Sequence, residues 1–191
     1  MTTGIIVLIV VIVFVLILVF ACIGIYNSLV RLRNNRENAF ADIDVQLKQR
    51  YDLIPQLVET VKGYAKHEKE TLDRVISARN QAFGASTIND KIVAENQLTS
   101  ALAGLKVTVE AYPDLKANQN FLQLQGEMSD IENKLAAVRR FFNSATKELN
   151  NKVQVFPNNI IAGMFGFRKE PMFDLGEERK LHEQAPKVSF S

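Results

Sequence analysis

Residues 5–25 form an uninterrupted apolar run, IIVLIVVIVFVLILVFACIGI, without a charged side chain. As an α-helix, a run of about 20 residues spans about 30 Å, the thickness of the hydrocarbon core of a bilayer. Because hydrocarbon offers backbone groups no partners, the run predicts one membrane-spanning helix, anchored by residues such as Ile5, Phe14 and Ile25. Tyr26, directly after the run, suits the aromatic belt at the membrane surface.

The charges that flank this run predict its orientation. Arg31, Arg33 and Arg36 follow the run, whereas no charged side chain precedes it. Basic flanks remain in the cytoplasm, so we expect residues 1–4 to lie outside. The chain would then cross the membrane once, with everything after the run facing the cytoplasm.

The only cysteine, Cys22, lies within the apolar run and leaves a second interpretation open. Residues 19–22, VFAC, loosely resemble a lipoprotein cleavage box, which would lipidate Cys22 and place the body of the protein outside the cytoplasm. However, the N-terminus has no basic region, and the apolar stretch before Cys22 is longer than a typical signal-peptide core. The uncleaved anchor is therefore favoured, and the lipoprotein is the alternative.

Long heptad repeats follow the apolar run. Apolar residues recur every seven positions in two segments, which is typical of helices packed along a seam. Residues 26–156 are therefore predicted to form an antiparallel bundle of about four helices. The predicted fold class is all-α, with the membrane helix continuous with the bundle and an irregular apolar segment after it. The first series is Phe40, Leu47, Ile54 and Val61, with Ile43, Leu57 and Tyr64 beside it; the second is Phe121, Met128, Leu135, Phe142, Leu149 and Phe156.

Local signals predict several helix ends. Thr87 and Asp90 have the spacing of a capping box, in which the threonine side chain caps the first turn of a helix. Pro113 suits the first turn of a further helix. We expect that helix to continue through Phe156 and to stop before Pro157.

The segment after the bundle, residues 157–176, is apolar but interrupted by glycine and proline, and it is too short to cross a membrane. Two interpretations remain for it. It is either a cap folded over an end of the bundle or an exposed docking surface with Phe165, Phe167 and Phe173 as anchors. Residues 177–191 are rich in charge and are expected to form a flexible tail.

The sequence offers no catalytic constellation. His67 begins a string, HEKE, that resembles a zinc-protease helix, but Thr71 stands where a second histidine ligand is needed. The only thiol lies in the apolar run, so no thiol–imidazole pair is suggested. We therefore predict no catalytic residue, no cofactor, no metal site and no enzymatic activity. The net charge of +2 is too small and too evenly spread to favour binding of nucleic acid.

One charged residue occupies a position in the first seam. Arg50 falls between Ile43 and Leu57, seven residues from each. Because a buried charge needs a partner, we expect Arg50 to pair with an acid such as Glu132 and to fix the register of the helices. The alternative function of this pair is a charged groove that faces a partner.

The chain resembles the LemA family over residues 26–175. Four long motifs appear in the order in which the family has them, and two residues, Phe40 and Phe142, stand where tryptophan and tyrosine are expected. Both substitutions keep an aromatic core residue. The motifs are YNSLVRLRN at 26–34, DIDVQLKQRYDLIP at 42–55 with LVETVKGYA at 57–65, YPDLKA at 112–117 and FGF at 165–167.

The resemblance implies a bacterial single-pass protein of the inner membrane, with an outside N-terminus and a cytoplasmic helical bundle. Genetic association of family members with membrane-bound zinc proteases of the heat-shock type suggests a role in membrane-protein quality control or envelope stress. The implied function is a non-catalytic scaffold or adaptor that contacts membrane lipid. It would form a homo-oligomer or hold a partner, such as a membrane zinc metalloprotease or another inner-membrane protein.

A second hypothesis is a helical rod that transmits a signal to a kinase or protease. Such a rod would need a sensing element outside the membrane. Residues 1–4 are too short to provide one, so the scaffold is preferred.

Overall fold

The computed structural model describes residues 2–173, and all regular structure in this range is helical. The all-α prediction is therefore confirmed. The predicted tail, residues 177–191, and the last residues of the segment 157–176 lie outside the described range. The helices are α1 (Thr2–Tyr64), α2 (Lys69–Gly84), α3 (Ile88–Val109), α4 (Pro113–Lys116), α5 (Gln119–Gln154) and α6 (Asn158–Met164).

Helix α1 contains both the apolar run and the first heptad series. It continues for 63 residues and includes Pro55 in its interior. The apolar side chains of the run are exposed, from Ile5 at 58% to Phe20 at 70%. Within the described residues, α1 is the helix that is long and apolar enough to cross a membrane. An exposed apolar surface of this length needs a lipid or protein covering, which supports association with a membrane.

The described chain divides into two compact units. The first unit comprises Met1–Asn38 and Asn143–Pro171. Its core forms where Ile161 and Ala162 of α6 pack on Leu29 of α1. Ile25, Val153 and Phe167 are partly buried against the same cluster.

Among the described residues, the second unit comprises Ala39–Phe142 with Met172 and Phe173. Its core is built from apolar faces of α1, α3 and α5, and the two heptad patterns predict the faces of α1 and α5. Tyr64 departs from this pattern, since it occupies a seam position but is 43% exposed at the end of α1. The fully or almost fully buried side chains include Ile43, Leu47, Ile54, Val61, Leu98, Leu105, Leu135 and Phe142.

Two helix starts are capped by side chains. The Thr87 hydroxyl accepts a hydrogen bond from the backbone N–H of Asp90 at 3.1 Å, which confirms the predicted cap. The carboxamide oxygen of Asn118 accepts one from the N–H of Phe121 at 3.0 Å. Asparagine is a strong helix cap, and this bond begins a new helix directly after the single turn of α4. The prediction of one helix from Pro113 onward is therefore wrong.

Phe156 is the one member of the second heptad series that leaves the core. Helix α5 ends at Gln154, so the helical period no longer orients the residues that follow. Phe156 is 75% exposed, whereas Leu149, one heptad earlier, is 2% exposed. The seam of α5 therefore ends at Leu149.

Candidate functional site

Among residues 2–173, Arg50 is the most deeply buried cation, and it joins three helices. Arg50 lies on α1 and is 1% exposed. One guanidinium nitrogen, Nη1, donates to Oε2 of Glu95 on α3 at 2.6 Å. The other, Nη2, lies 2.7 Å from Oε1 of Glu132 on α5 and donates to the Thr99 hydroxyl at 3.3 Å. The guanidinium thus connects α1, α3 and α5 by charge-assisted bonds.

Glu95 has more partners in this ion network than any other member. The residue is 1% exposed, and its carboxylate also accepts a hydrogen bond from the Tyr51 hydroxyl at 2.7 Å. Arg139 approaches the same carboxylate, with Nη2 at 3.5 Å from Oε2. Two cations and two anions, with Tyr51, therefore form one cluster, which we call the ion network: Arg50, Tyr51, Glu95, Glu132 and Arg139.

The environment of the ion network shifts the pKa values of Tyr51 and Arg139. Burial raises the pKa of Tyr51 above its ordinary value of 10.0, and the negative charge of Glu95 raises it further. Burial lowers the pKa of Arg139, and the positive charge of Arg50 acts in the same direction. Tyr51 therefore remains a hydrogen-bond donor to Glu95 at physiological pH.

The ion network is suited to fixing structure rather than to chemistry. Buried ions are tolerated when their charges are paired, and here each guanidinium faces a carboxylate, although the Nε atoms of Arg50 and Arg139 have no hydrogen-bond partner among the described residues. Such pairs specify the register of neighbouring helices. The Glu95 carboxylate accepts hydrogen bonds from both Arg50 and Tyr51.

Arg50 and Glu132 were predicted as a pair from the sequence, and their Nη2 and Oε1 atoms lie 2.7 Å apart. Glu95, the more deeply buried acid, was not predicted. The signal was present, because Glu95 lies three residues from both Ile92 and Leu98 in the apolar stripe of α3. An acid in that position points into the seam and indicates a buried cation opposite.

A cleft of about 620 Å³ lies beside the ion network in the second unit. Arg50 and Glu132 form part of its wall, and a second ion pair, Lys116 with Glu110 at 2.5 Å, forms another part. The cleft is also lined by Lys106 and by the polar side chains of Thr99, Gln125 and Ser129. Its apolar lining includes Leu57, Leu102, Leu105, Val109, Phe121, Leu122 and Met128.

The first unit carries an aromatic cluster at the end of the apolar run. The ring of Tyr26 lies 4.7 Å from that of Phe165 and 6.0 Å from that of Phe167. The guanidinium of Arg33 lies over the Phe167 ring, 5.4 Å from its centre. Phe165 is 58% exposed. Two of the three predicted docking anchors are therefore brought together, beside the predicted membrane belt residue.

The third predicted anchor, Phe173, lies in the core of the second unit. It is 3% exposed, and its ring stacks on Phe40 at 6.2 Å and meets Phe142 edge-on at 5.7 Å. The guanidinium of Arg139 lies 5.1 Å from its centre. The prediction of Phe173 as an exposed anchor is wrong, because this ring fills an aromatic cluster between buried residues.

The three predicted topology arginines differ in their surroundings. Arg31 and Arg33 are exposed. The side chain of Arg36 is 6% exposed; its guanidinium lies 3.6 Å from Glu170 and donates to the carbonyl of Pro171 at 3.3 Å. Burial lowers the pKa of Arg36, and Glu170 opposes that change. Arg36 therefore also ties the chain after α6 to α1.

Within residues 2–173, no group of three or more His, Cys, Asp or Glu side chains is arranged to hold a metal ion. His67 is exposed in the turn between α1 and α2. The second histidine, His182, lies outside the described residues. His67 shares a surface pocket with Glu70 and Asp73, but in the described part of the chain these side chains do not form a group that could hold a metal ion.

Comparison with known proteins gives a family for most of the chain. The LemA family model matches residues 39–190. Protein LemA of Metamycoplasma hominis is 27% identical over 163 residues, which cover 85% of this chain and 74% of that protein. Magnetosome protein MamQ of Magnetospirillum gryphiswaldense is 20% identical, and magnetosome protein MamQ 1 of Paramagnetospirillum magneticum is 19% identical. Each of these two matches covers 78% of this chain but only 64% of the relative.

Proposed function

This chain belongs to the LemA family, and on that premise we propose that it is a non-catalytic, single-pass membrane scaffold or adaptor. In this proposal the apolar run spans the bacterial inner membrane, with the N-terminus outside. The helical bundle then lies on the cytoplasmic face, as the basic flank favours. The bundle forms a homo-oligomer or holds a second membrane protein.

The observation that carries the proposal is that α1 is one continuous helix with an exposed apolar part followed by a buried seam. One helix presents an exposed apolar surface from Ile5 to Phe20 and then supplies the buried seam residues Leu47 and Ile54. Membrane segment and bundle helix are thus one element of secondary structure. Arg50 and Glu132, which line the cleft, are paired with each other, and Arg50 also pairs with Glu95, which favours organisation over chemistry.

The partners proposed are further copies of this chain, a membrane zinc metalloprotease or another inner-membrane protein. The work of such an assembly would be membrane-protein quality control or the response to envelope stress. Exposed apolar side chains on the second unit, such as Val107 at 74% and Phe141 at 62%, offer surfaces for such contacts.

Particle mass tests the scaffold directly. The full chain is extracted from native membranes in mild detergent, its protein mass is measured by light scattering, and co-purifying chains are identified by mass spectrometry. We expect several copies per particle or a stoichiometric membrane partner. The matched control, Leu16→Arg, places a charge in the apolar run and is expected to reduce the amount of chain in the membrane fraction.

Two outcomes would contradict the scaffold. One is a monomer without a stoichiometric partner. The other is a monomer or dimer bound to a kinase, which would favour signal transmission by α1 instead.

A further inference from the structure

We propose that residues 155–165, which we call the apex, are a second membrane contact that inserts into the lipid interface beside the point where α1 leaves the bilayer. The occupant of this surface is lipid, specifically the anionic headgroups and the upper part of the acyl chains. The inference rests on the proposed membrane span of residues 5–25.

Contacts along α1 place the apex at the membrane end of the first unit. Phe165 contacts Tyr26, the residue directly after the apolar run. Phe167 contacts both Tyr26 and Arg33, and Glu170 lies 3.6 Å from Arg36. The chain after Phe165 therefore moves away from the apolar run, and the apex lies at the end nearest to it.

The depth of the apex follows from the packing of α6. Ile161 and Ala162 pack on Leu29, and Ile25 joins the same cluster. Leu29 is only four residues beyond Ile25, which is about 6 Å along a helix axis. The headgroup layer extends about 5–8 Å from the hydrocarbon on each side of a bilayer. Helix α6 therefore lies at the level of the headgroups when residues 5–25 span the membrane.

The apex turns an apolar surface outward at this depth. One face of α6 is buried through Ile161 and Ala162, whereas Ile160 and Met164, one turn apart, are 54% and 72% exposed. An exposed apolar face at this depth can turn towards the acyl chains, as the apolar face of an interfacial helix does. The other large exposed side chains of the apex are Val155 at 55%, Phe156 at 75% and Phe165 at 58%.

The charges around the apex favour an anionic leaflet. No acidic residue occurs from Asn151 to Lys169, and the first acidic residue of the chain is Glu37. Arg168 and Lys169 follow the apex and are exposed, as is Arg31 on α1. Basic residues close to a membrane surface are attracted by anionic headgroups. These three positive charges would not favour an apolar protein surface as the partner of the apex.

The absence of tryptophan from the chain makes the proposal testable with single fluorescent probes. Three variants of the full chain, Phe14→Trp, Met164→Trp and Val107→Trp, are reconstituted into vesicles of phosphatidylcholine and phosphatidylglycerol. The lipids carry bromine on the acyl chain either close to the headgroup (high) or close to the bilayer centre (low). Each probe replaces an exposed side chain, and circular dichroism verifies that helicity is retained.

We expect Phe14→Trp to be quenched most by bromine low on the chain. Met164→Trp should be quenched by bromine high on the chain, several-fold more strongly than the control Val107→Trp in the second unit. Omitting phosphatidylglycerol should weaken the quenching of Met164→Trp.

Each contrary outcome has a distinct meaning. Quenching of Phe14→Trp without quenching of Met164→Trp would overturn the apex contact and leave the membrane span intact. Absence of quenching at Phe14→Trp would contradict the proposed function itself. Shielding of Met164→Trp from both brominated lipid and aqueous iodide would show that protein covers the apex, and would also overturn the proposal.

Discussion

Glu95→Gln is expected to lower the free energy of unfolding by about 3–5 kcal/mol, the cost of removing one partner from a buried ion pair. The glutamine amide has the same shape as the Glu95 carboxyl group and can still accept a hydrogen bond from Tyr51. It lacks the negative charge that neutralises two guanidinium groups, those of Arg50 at 2.6 Å and Arg139 at 3.5 Å from Glu95 Oε2. The buried guanidinium of Arg50 and the half-buried guanidinium of Arg139 would then have Glu132 as the remaining acid of the network. Urea unfolding of the full chain in detergent micelles, followed by circular dichroism, measures the change.

Two further variants isolate the cause. Glu127→Gln, an exposed acid on α5, should shift stability by no more than about 0.5 kcal/mol. The double variant Arg50→Met with Glu95→Met should be less destabilised than Glu95→Gln, because it buries no unpaired charge at these two positions. Equal loss of stability in the double variant would show that the bonds themselves, rather than the uncompensated charge, determine the effect.

Phe142→Ala is expected to cost about 3–5 kcal/mol, since it removes a fully buried ring and leaves a cavity. Phe142 is 0% exposed and meets the rings of Phe40 and Phe173 at 5.7 Å each. The loss should be accompanied by release of the chain around Phe173. Hydrogen exchange followed by mass spectrometry measures that release, and the unfolding midpoint in urea measures the stability.

The adjacent residue provides a matched control for this substitution. Phe141 is 62% exposed on the same turn of α5, so Phe141→Ala removes the same atoms from a largely solvated position. Its effect should be within about 0.5 kcal/mol. Similar losses for Phe141→Ala and Phe142→Ala would contradict the assignment of the aromatic cluster as the core of the second unit.

Repeating patterns made most of the helical core predictable from sequence. A heptad series identifies a buried face because the same side of the helix returns every seven residues, and so Leu47, Ile54 and Leu135 lie in the core as predicted. The cap at Thr87 was predictable for a different reason, since it depends on residues only three positions apart. Both signals are local to one element.

The features that were not predicted from the sequence depend on contacts between helices, or on competition between a side chain and the backbone for the same N–H group. Asn118 ends one helix and starts another because its side chain competes with the backbone for the Phe121 N–H, against the trend of the apolar pattern. Phe173 lies in a segment without any period, so only its tertiary contacts with Phe40 determine its burial. The burial of Glu95, an acid within the apolar stripe of α3, depends on its pairing with Arg50 on another helix.

The central claim is that the apolar run spans a membrane and holds the helical bundle on its cytoplasmic face. Protease protection of the unmodified full chain, in spheroplasts and in inverted inner-membrane vesicles, tests it most directly. We predict that the bundle survives in intact spheroplasts and is digested in inverted vesicles, with an intact mass that shows no lipid on Cys22. Digestion of the bundle in intact spheroplasts, with a lipid-sized mass increase after cleavage before Cys22, would contradict the claim and establish the lipoprotein topology.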